Sequence, residues 1–341
     1  MASFDFFSET KSLLTLNQLS NDDLHFIIER AWQLKFFRNE RIPQHAKGKT
    51  LVLYMEKRST RTRLSCTVAW TKLGGNVIDL SPSSSLVHSS HIGEHENLYD
   101  SFRVISDMAD CIVARVNNHE TLGIIEKASA DSRKKPPVIN GLSDLWHPLQ
   151  ILADVLTMYE RILAPMVSSH SEPRFDVRAL NGQKFTWVGD ANNVANSLIT
   201  TLPRFGVNVT VCTPEEYVIN DAIYHVVEMD GNLSLLTTSH NPEEAIKDAD
   251  FICTDTWVSM GNEEEKEKRL AAFSGFQINK ELIESGKPKE NHCFLHCLPR
   301  KKEEVSDDIF YGPNSLVFGE AENRMWSVLA VFSEILSSSW P

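Results

Sequence analysis

Five short segments gather the residue types that do polar chemistry, and several of them lie at the end of an apolar run of strand length. The densest is Ser59-Thr60-Arg61-Thr62-Arg63, which follows an apolar run at 50–55 and opens a helix-like stretch ending at Gly74-Gly75. Hydroxyls and guanidiniums delivered to a helix N-terminus make an oxyanion cradle. Free backbone N–H groups point outward there, the helix dipole favours negative charge, and arginine adds bidentate donors. Capping by Ser59 with two surface arginines is the plainer account, but this density of donors after a strand favours a phosphate site. The glycines and lysine of a P-loop are missing, so a nucleoside triphosphate is not indicated.

The other four segments are each ambiguous alone. In His147-Pro148-Leu149-Gln150 the His and Gln share a helix face. A helix N-terminus disfavours imidazolium, so His147 is expected neutral and able to donate to a carbonyl; on spacing alone a capping histidine with an exposed Gln is slightly favoured. Gly189-Asp190-Ala191-Asn192-Asn193 sits at a strand end without the dinucleotide fingerprint GxGxxG, and reads as ligand contact or as an Asn-rich turn. In Asp255-Thr256-Trp257-Val258-Ser259-Met260-Gly261, Asp255 suits a substrate ammonium, Ser259 a further polar group and Met260 an aliphatic chain, with a helix entry as the alternative. His296-Cys297-Leu298-Pro299-Arg300 follows Asn291-His292-Cys293. Alternate strand residues face opposite sides, so His292, Cys293, His296 and Cys297 are not expected to converge on one ion, and no metal site is assigned. Cys297 as a nucleophile would need an activating base that sequence cannot locate.

Short apolar runs at 50–55, 76–80, 110–116, 184–189, 207–212, 249–255 and 293–298 must position these groups. Most precede a helical pattern, which predicts an α/β fold with parallel sheets. The clearest helix is 147–163, with Leu149, Leu152, Val155, Leu156, Tyr159, Ile162 and Leu163 on one face, placed where a two-domain protein needs a connecting element. Loops are expected at 81–90, 129–137 and 164–178, and the charge run 262–270 is expected to be a solvated helix face without chemistry.

At 341 residues the chain is long enough for about two domains. The 34 Lys+Arg against 46 Asp+Glu, a net charge of −12, argue against a nucleic-acid or anionic-membrane partner, though not against an anionic small molecule. Six scattered cysteines without a CxxC pair favour a reducing compartment. No apolar run approaches membrane-spanning length. The first twenty residues hold Asp5 and Glu9 but no Arg, unlike a mitochondrial presequence, so the cytoplasm is expected, with a matrix protein lacking its presequence as the alternative.

Taken together, the five segments resemble the ornithine branch of the aspartate/ornithine transcarbamylase family, in order along nearly the whole chain. The segments from Asp255 to Gly261 and His296 to Pro299 separate that branch from the aspartate branch, and Asn140-Gly141-Leu142-Ser143-Asp144 and Glu320-Ala321-Glu322-Asn323-Arg324 also match it. The resemblance implies two similar-sized, doubly wound α/β domains with central parallel sheets, joined by long interdomain helices. Residues 1–146, with a returning C-terminal helix at 320–341, would bind carbamoyl phosphate, and 147–319 would bind ornithine.

It implies carbamoyl transfer from carbamoyl phosphate to the δ-amine of ornithine, by a homotrimer without metal or organic cofactor. Ser59, Thr60, Arg61 and Thr62 would hold the phosphate, and Arg115 would bridge it to the carbamoyl oxygen. Thr62, Arg115 and His147 would polarise the carbonyl. Gln150 and the backbone carbonyls of Cys297 and Leu298 would receive the carbamoyl amide, with Arg324 near the same site. Leu142 (through its backbone), Asn193, Asp255, Ser259 and Met260 would position ornithine. One departure is the segment 81–97, longer than usual and rich in Ser and His, where the family lends a residue to a neighbouring subunit; His88 and His91 are not assigned that role. The competing functions are a paralogue acting on another amine and a catalytically silent protein of the same fold. Retention of Arg61, Arg115, His147, Gln150, Asp255 and Cys297 together argues against the silent protein.

Overall fold

The computed structural model describes residues 11–36, 42–81, 96–163, 175–258 and 265–337. The chain divides into two compact units. Among the described residues the first holds 11–156, Phe175 and 323–337; the second holds 157–163, 176–258 and 265–322. The division therefore falls inside the helix that begins beside His147, after Leu156, and not at its N-terminal end.

In the first unit α1 (Asn21–Phe36) precedes a four-stranded sheet of β1 (Thr50–Met55), β2 (Asn76–Asp79), β3 (Cys111–Arg115) and β4 (Val138–Leu142). All pairings are parallel and the order is β2-β1-β3-β4. Helices α2 (Thr60–Lys72), α3 (Leu98–Met108) and α4 (His119–Ala130) make the crossovers, and α5 (Pro148–Leu163) follows β4. Residues 51–55 of β1 and all of β3 are buried, as expected of central parallel strands covered on both faces. Each fully buried Leu, Ile or Val there contributes roughly 1.5–3 kcal/mol. The turn after α2 closes against an indole: a Cβ on Gly75 would lie 2.2 Å from Trp70 Nε1, so only glycine fits.

The second unit carries a five-stranded parallel sheet, β5 (Lys184–Val188), β6 (Asn208–Cys212), β7 (Leu236–Ser239), β8 (Phe251–Thr254) and β9 (Cys293–His296), in the order β7-β6-β5-β8-β9. Its helices are α6 (Asn193–Thr201), α7 (Asp221–Met229), α8 (Pro242–Ile246), α9 (Lys266–Ala272), α10 (Lys280–Gly286) and α11 (Asp307–Phe310). The last helix, α12 (Val317–Ser337), starts in this unit and continues in the first. Val188, Ile252, Phe273 and Phe294 anchor one core of the second unit.

In each sheet the strand order reverses once, between β1 and β3 in the first and between β5 and β8 in the second. Ligands of open α/β sheets bind outside the carboxyl ends of strands at such a switch point. All seven expected strands are present within a residue or two, while β4 and β7 were not anticipated. β4 is short, preceded by Pro136-Pro137 and contains Asn140-Gly141, which reads as a turn; β7 is a four-residue, partly exposed edge strand.

Candidate functional site

At the first switch point the ends of β1 and β3 are tied together. Glu56 N–H donates to the Arg115 carbonyl (2.9 Å), and the Glu56 carboxylate accepts the Asn117 N–H (2.6 Å). β3 pairs with β4 through a register shift: Ala114 faces Asn140 but Arg115 faces Leu142, so Gly141 is an extra residue in the ladder. A Cβ there would lie 3.2 Å from both Thr62 Cγ2 and Val113 Cγ1. Such bulges re-aim strand ends beside functional sites.

Ser59 caps α2, its hydroxyl accepting the Thr62 N–H (3.2 Å), and this places Thr60, Arg61 and Thr62 in the first turn. Arg63 turns away to pair with Asp79 (2.7 Å). Arg324, on α12 and 2 % exposed, binds three side chains of the expected set. It donates to Gln150 Oε1 (2.6 Å) and Thr62 Oγ1 (3.3 Å), and its Nη1 lies 3.5 Å from His147 Nε2. Gln150 in turn donates to Asp154 (2.7 Å). A guanidinium only donates, so Nε2 is the unprotonated nitrogen in that contact. His147 is held well below the ordinary histidine range, first by burial and then by Arg324, Arg115 and Arg61. Burial and the three arginines act in the same direction as the helix N-terminus, favouring the neutral ring.

Leu142 also belongs to this unit; its carbonyl accepts the Val116 N–H (2.9 Å) and keeps a second lone pair for another donor. The β4–α5 turn leading to His147 is pinned by Asn140, whose side chain donates to the carbonyls of Leu14 (2.9 Å) and Trp146 (3.4 Å).

At the second switch point Asn192 caps α6, accepting the N–H groups of Val194 and Ala195, and its amide donates to Asp255 (3.1 Å). Asn193 is the first residue of that helix. Asp255, just beyond β8, is buried, and the Cys297 thiol hydrogen-bonds to it. Burial, then Asp255 and Glu320, push that thiol well above its ordinary value. A protonated thiol facing carboxylates is the opposite of an activated nucleophile. Leu298 follows in the left-handed region at φ 60°. Ser259 and Met260 lie outside the described residues, as do 82–95 with His88 and His91, so the structure adds nothing to those expectations.

The charge run differs from expectation. Arg269 is not solvated: it binds Asp190 (2.8 Å) and the Trp257 carbonyl (3.2 Å), and its guanidinium lies 4.7 Å from the Tyr217 ring centroid. It straps the loop after β5 to the loop after β8. Burial pushes the Asp190 carboxyl up, and Arg269 pulls against that shift. The i,i+4 spacing of Glu265 and Arg269 is visible in sequence and survives as a 3.3 Å contact, but it disguised the buried partner.

Among the described residues Asp255, His296 and Cys297 bring ligand-type atoms within 4.8 Å of one another. They do not fit a metal ion. His296 Nδ1 accepts the Leu298 N–H (2.9 Å) and Nε2 faces Glu304 (3.3 Å), so neither imidazole nitrogen offers a lone pair. Cys293 instead meets Arg161 (3.0 Å), and His292 Nδ1 lies 2.8 Å from the Lys289 carbonyl.

Two family models match the chain in succession. Residues 11–160 match the aspartate/ornithine carbamoyltransferase carbamoyl-P binding domain, and 181–335 match the Asp/Orn binding domain of the same family. The chain belongs to the aspartate/ornithine carbamoyltransferase family. The mitochondrial ornithine transcarbamylase of Gallus gallus is 42% identical over 339 residues, covering 97% of this chain and 87% of the relative. The crystal structure of a mitochondrial ornithine carbamoyltransferase from Coccidioides immitis superposes with a TM-score of 0.80 at 38% identity, over 95% of this chain and 97% of that one. The ornithine carbamoyltransferase of Pyrococcus furiosus gives 0.82 at 35% identity, over 96% and 98%. The expected architecture of two α/β domains with parallel sheets is therefore that of the family. Arg61, Arg115, His147 and Gln150 fall in the span of its carbamoyl-P model, and Asp255 and Cys297 in the span of its Asp/Orn model.

Proposed function

We propose that this chain transfers the carbamoyl group of carbamoyl phosphate to the δ-amine of L-ornithine, giving L-citrulline and phosphate. The observation that carries this reading is the opposite charge of the two switch points. One gathers Arg61, Arg115 and Arg324 about a buried neutral imidazole; the other holds a buried carboxylate beside a protonated thiol. The first suits a phosphate ester, the second an ammonium-bearing amino acid.

The N-terminus of α2, with Ser59, Thr60, Arg61 and Thr62, holds the phosphate. Arg115 spans phosphate and carbamoyl oxygen, and with Thr62 and His147 meets the negative charge that develops as the neutral δ-amine attacks the carbonyl carbon and phosphate departs. Preorganised donors of this kind are usually the largest catalytic term. A neutral His147 donates without changing its charge, and Arg324 fixes Gln150 and Thr62 for their contacts. Cys297 and Leu298 are assigned to the carbamoyl amide, and Leu142, Asn193, Asp255, Ser259 and Met260 to ornithine, by sequence correspondence. Holding both substrates in line supplies the proximity term.

Citrulline formation from carbamoyl phosphate and ornithine, run beside aspartate, putrescine and acetylornithine, tests the reading. Turnover with ornithine alone is expected; none by folded protein overturns it. The reaction places the chain in arginine biosynthesis or the urea cycle, and a homotrimer is proposed, to be checked by light scattering. The relatives named as mitochondrial enzymes support the matrix alternative beside the cytoplasmic expectation, and cell fractionation separates the two. No helix among the described residues is long and apolar enough to cross a membrane.

A further inference from the structure

The segment that carries Cys297 and Leu298 is held from behind by two side chains with no assigned role. His296 and Glu304 are both 0 % exposed. His296 Nδ1 lies 2.9 Å from the Leu298 backbone nitrogen, and Nε2 lies 3.3 Å from Glu304 Oε2. A backbone N–H can only donate, so Nδ1 is bare and the ring proton sits on Nε2. Glu304 Oε2 is therefore the acceptor, and it also accepts the Lys301 N–H (2.8 Å). Behind the ring, the His296 N–H is held by Glu320 (2.9 Å). Leu298 itself adopts φ 60°, a conformation that side-chain-bearing residues avoid unless their surroundings impose it.

We propose that His296 is a positioning residue for carbamoyl transfer, fixing the left-handed turn at Leu298 through Nδ1, and that Glu304 keeps it in the one tautomer able to do so. A side-chain acceptor for the N–H two residues on is the geometry of an Asx turn. The two ring nitrogens thus have separate jobs, one toward the reacting segment and one toward the core. This rests on the reading in which Cys297 and Leu298 act on the carbamoyl group.

The two jobs can be separated by substitution. His296→Asn replaces the Nδ1 acceptor but cannot reach Glu304; His296→Gln reaches Glu304 but leaves the Leu298 N–H without its acceptor. We expect His296→Asn to keep kcat within about threefold, and His296→Gln to lose about ten- to a hundredfold, the cost of one unmade, partly buried hydrogen bond. Thermal stability should run in the reverse order, because His296→Asn strips Glu304 of its side-chain partner. A purely structural role would rank both properties alike. Glu304→Gln, which retains an oxygen acceptor, should keep kcat near wild type, and Glu304→Leu should fall with His296→Gln. A kcat for His296→Gln equal to or above that of His296→Asn overturns the proposal, whether or not Glu304→Leu folds.

A readout free of turnover is slow alkylation of the partly accessible Cys297 by iodoacetamide at alkaline pH, where a small fraction of the raised thiol ionises, followed by peptide mass spectrometry; the other five cysteines are buried. His296→Gln should change that rate and His296→Asn should not. Absence of citrulline formation by the wild-type protein would remove the functional reading and leave the alkylation order to decide the positioning. Wild-type turnover with equal kcat and equal alkylation in the two His296 variants would remove the positioning alone.

Discussion

The two sheets share a construction and differ in charge. Both are open and parallel, and both bring polar side chains to the carboxyl ends of the strands flanking a reversal in strand order. At the first, Arg61, Arg115 and Arg324 act on His147. At the second, Asp255 and Glu320 act on Cys297, while Asp190, influenced by Asp255, is paired with Arg269. A strand order places a crevice; the residues that follow each strand decide its ligand. A net charge of −12 averages over that contrast and hides it.

Arg269→Ala tests the acidic side most severely, because it leaves Asp190 buried without its cation. We expect a loss of about 3–5 kcal/mol in stability, read as a lower Tm. An unchanged Tm would mean that the strap bears no load. Arg115→Ala removes one cation from the other side and should lower kcat by roughly 10²–10³-fold in a citrulline assay. A smaller loss than that of a surface arginine would break the assignment of a cationic reaction centre.

Asp255→Asn keeps the shape and deletes the charge. Ornithine should weaken by about ten- to a hundredfold, with carbamoyl phosphate affinity unchanged in calorimetry. Equal weakening of both ligands would contradict the division of labour by charge. The mildest test is pH. The folded-state pKa of His147 is depressed, so between that value and the unfolded value of about 6.5 the unfolded chain binds the extra proton. Stability from this group is complete above about pH 6.5 and declines as pH falls below it. Unfolding free energies from urea titrations at about pH 5.5 and 7.5 should therefore differ by about 1 kcal/mol more in the wild type than in His147→Asn.

The alternation of short apolar runs with helical patterns made the α/β architecture legible, because β1, β3, β5 and β8 are central strands whose buried faces demand apolar residues. β7 was illegible because an edge strand needs no such run, and β4 because its Asn-Gly pair serves a bulge in place of a turn. At the site, residue types and order pointed to Thr62, His147, Gln150 and Asp255. The supporting groups were hidden: Glu304 and Arg269 lie among charged neighbours in sequence, and only tertiary burial distinguishes them from solvated residues. Asp154, the partner of Gln150, sits one turn along α5 at an i,i+4 spacing that could have been noticed.

The bulge at Gly141 has a consequence for chain length. Side chains along a strand alternate between faces, so a strand one residue shorter here would pair Arg115 with Leu142 in regular register, with Leu142 turned to the opposite face. Residue count between Val138 and Leu142 thus matters independently of residue identity. Conservative replacements can be absorbed along β4, but a single-residue deletion or insertion cannot, and this strand end should reject changes of length that exposed loops elsewhere in the chain would tolerate.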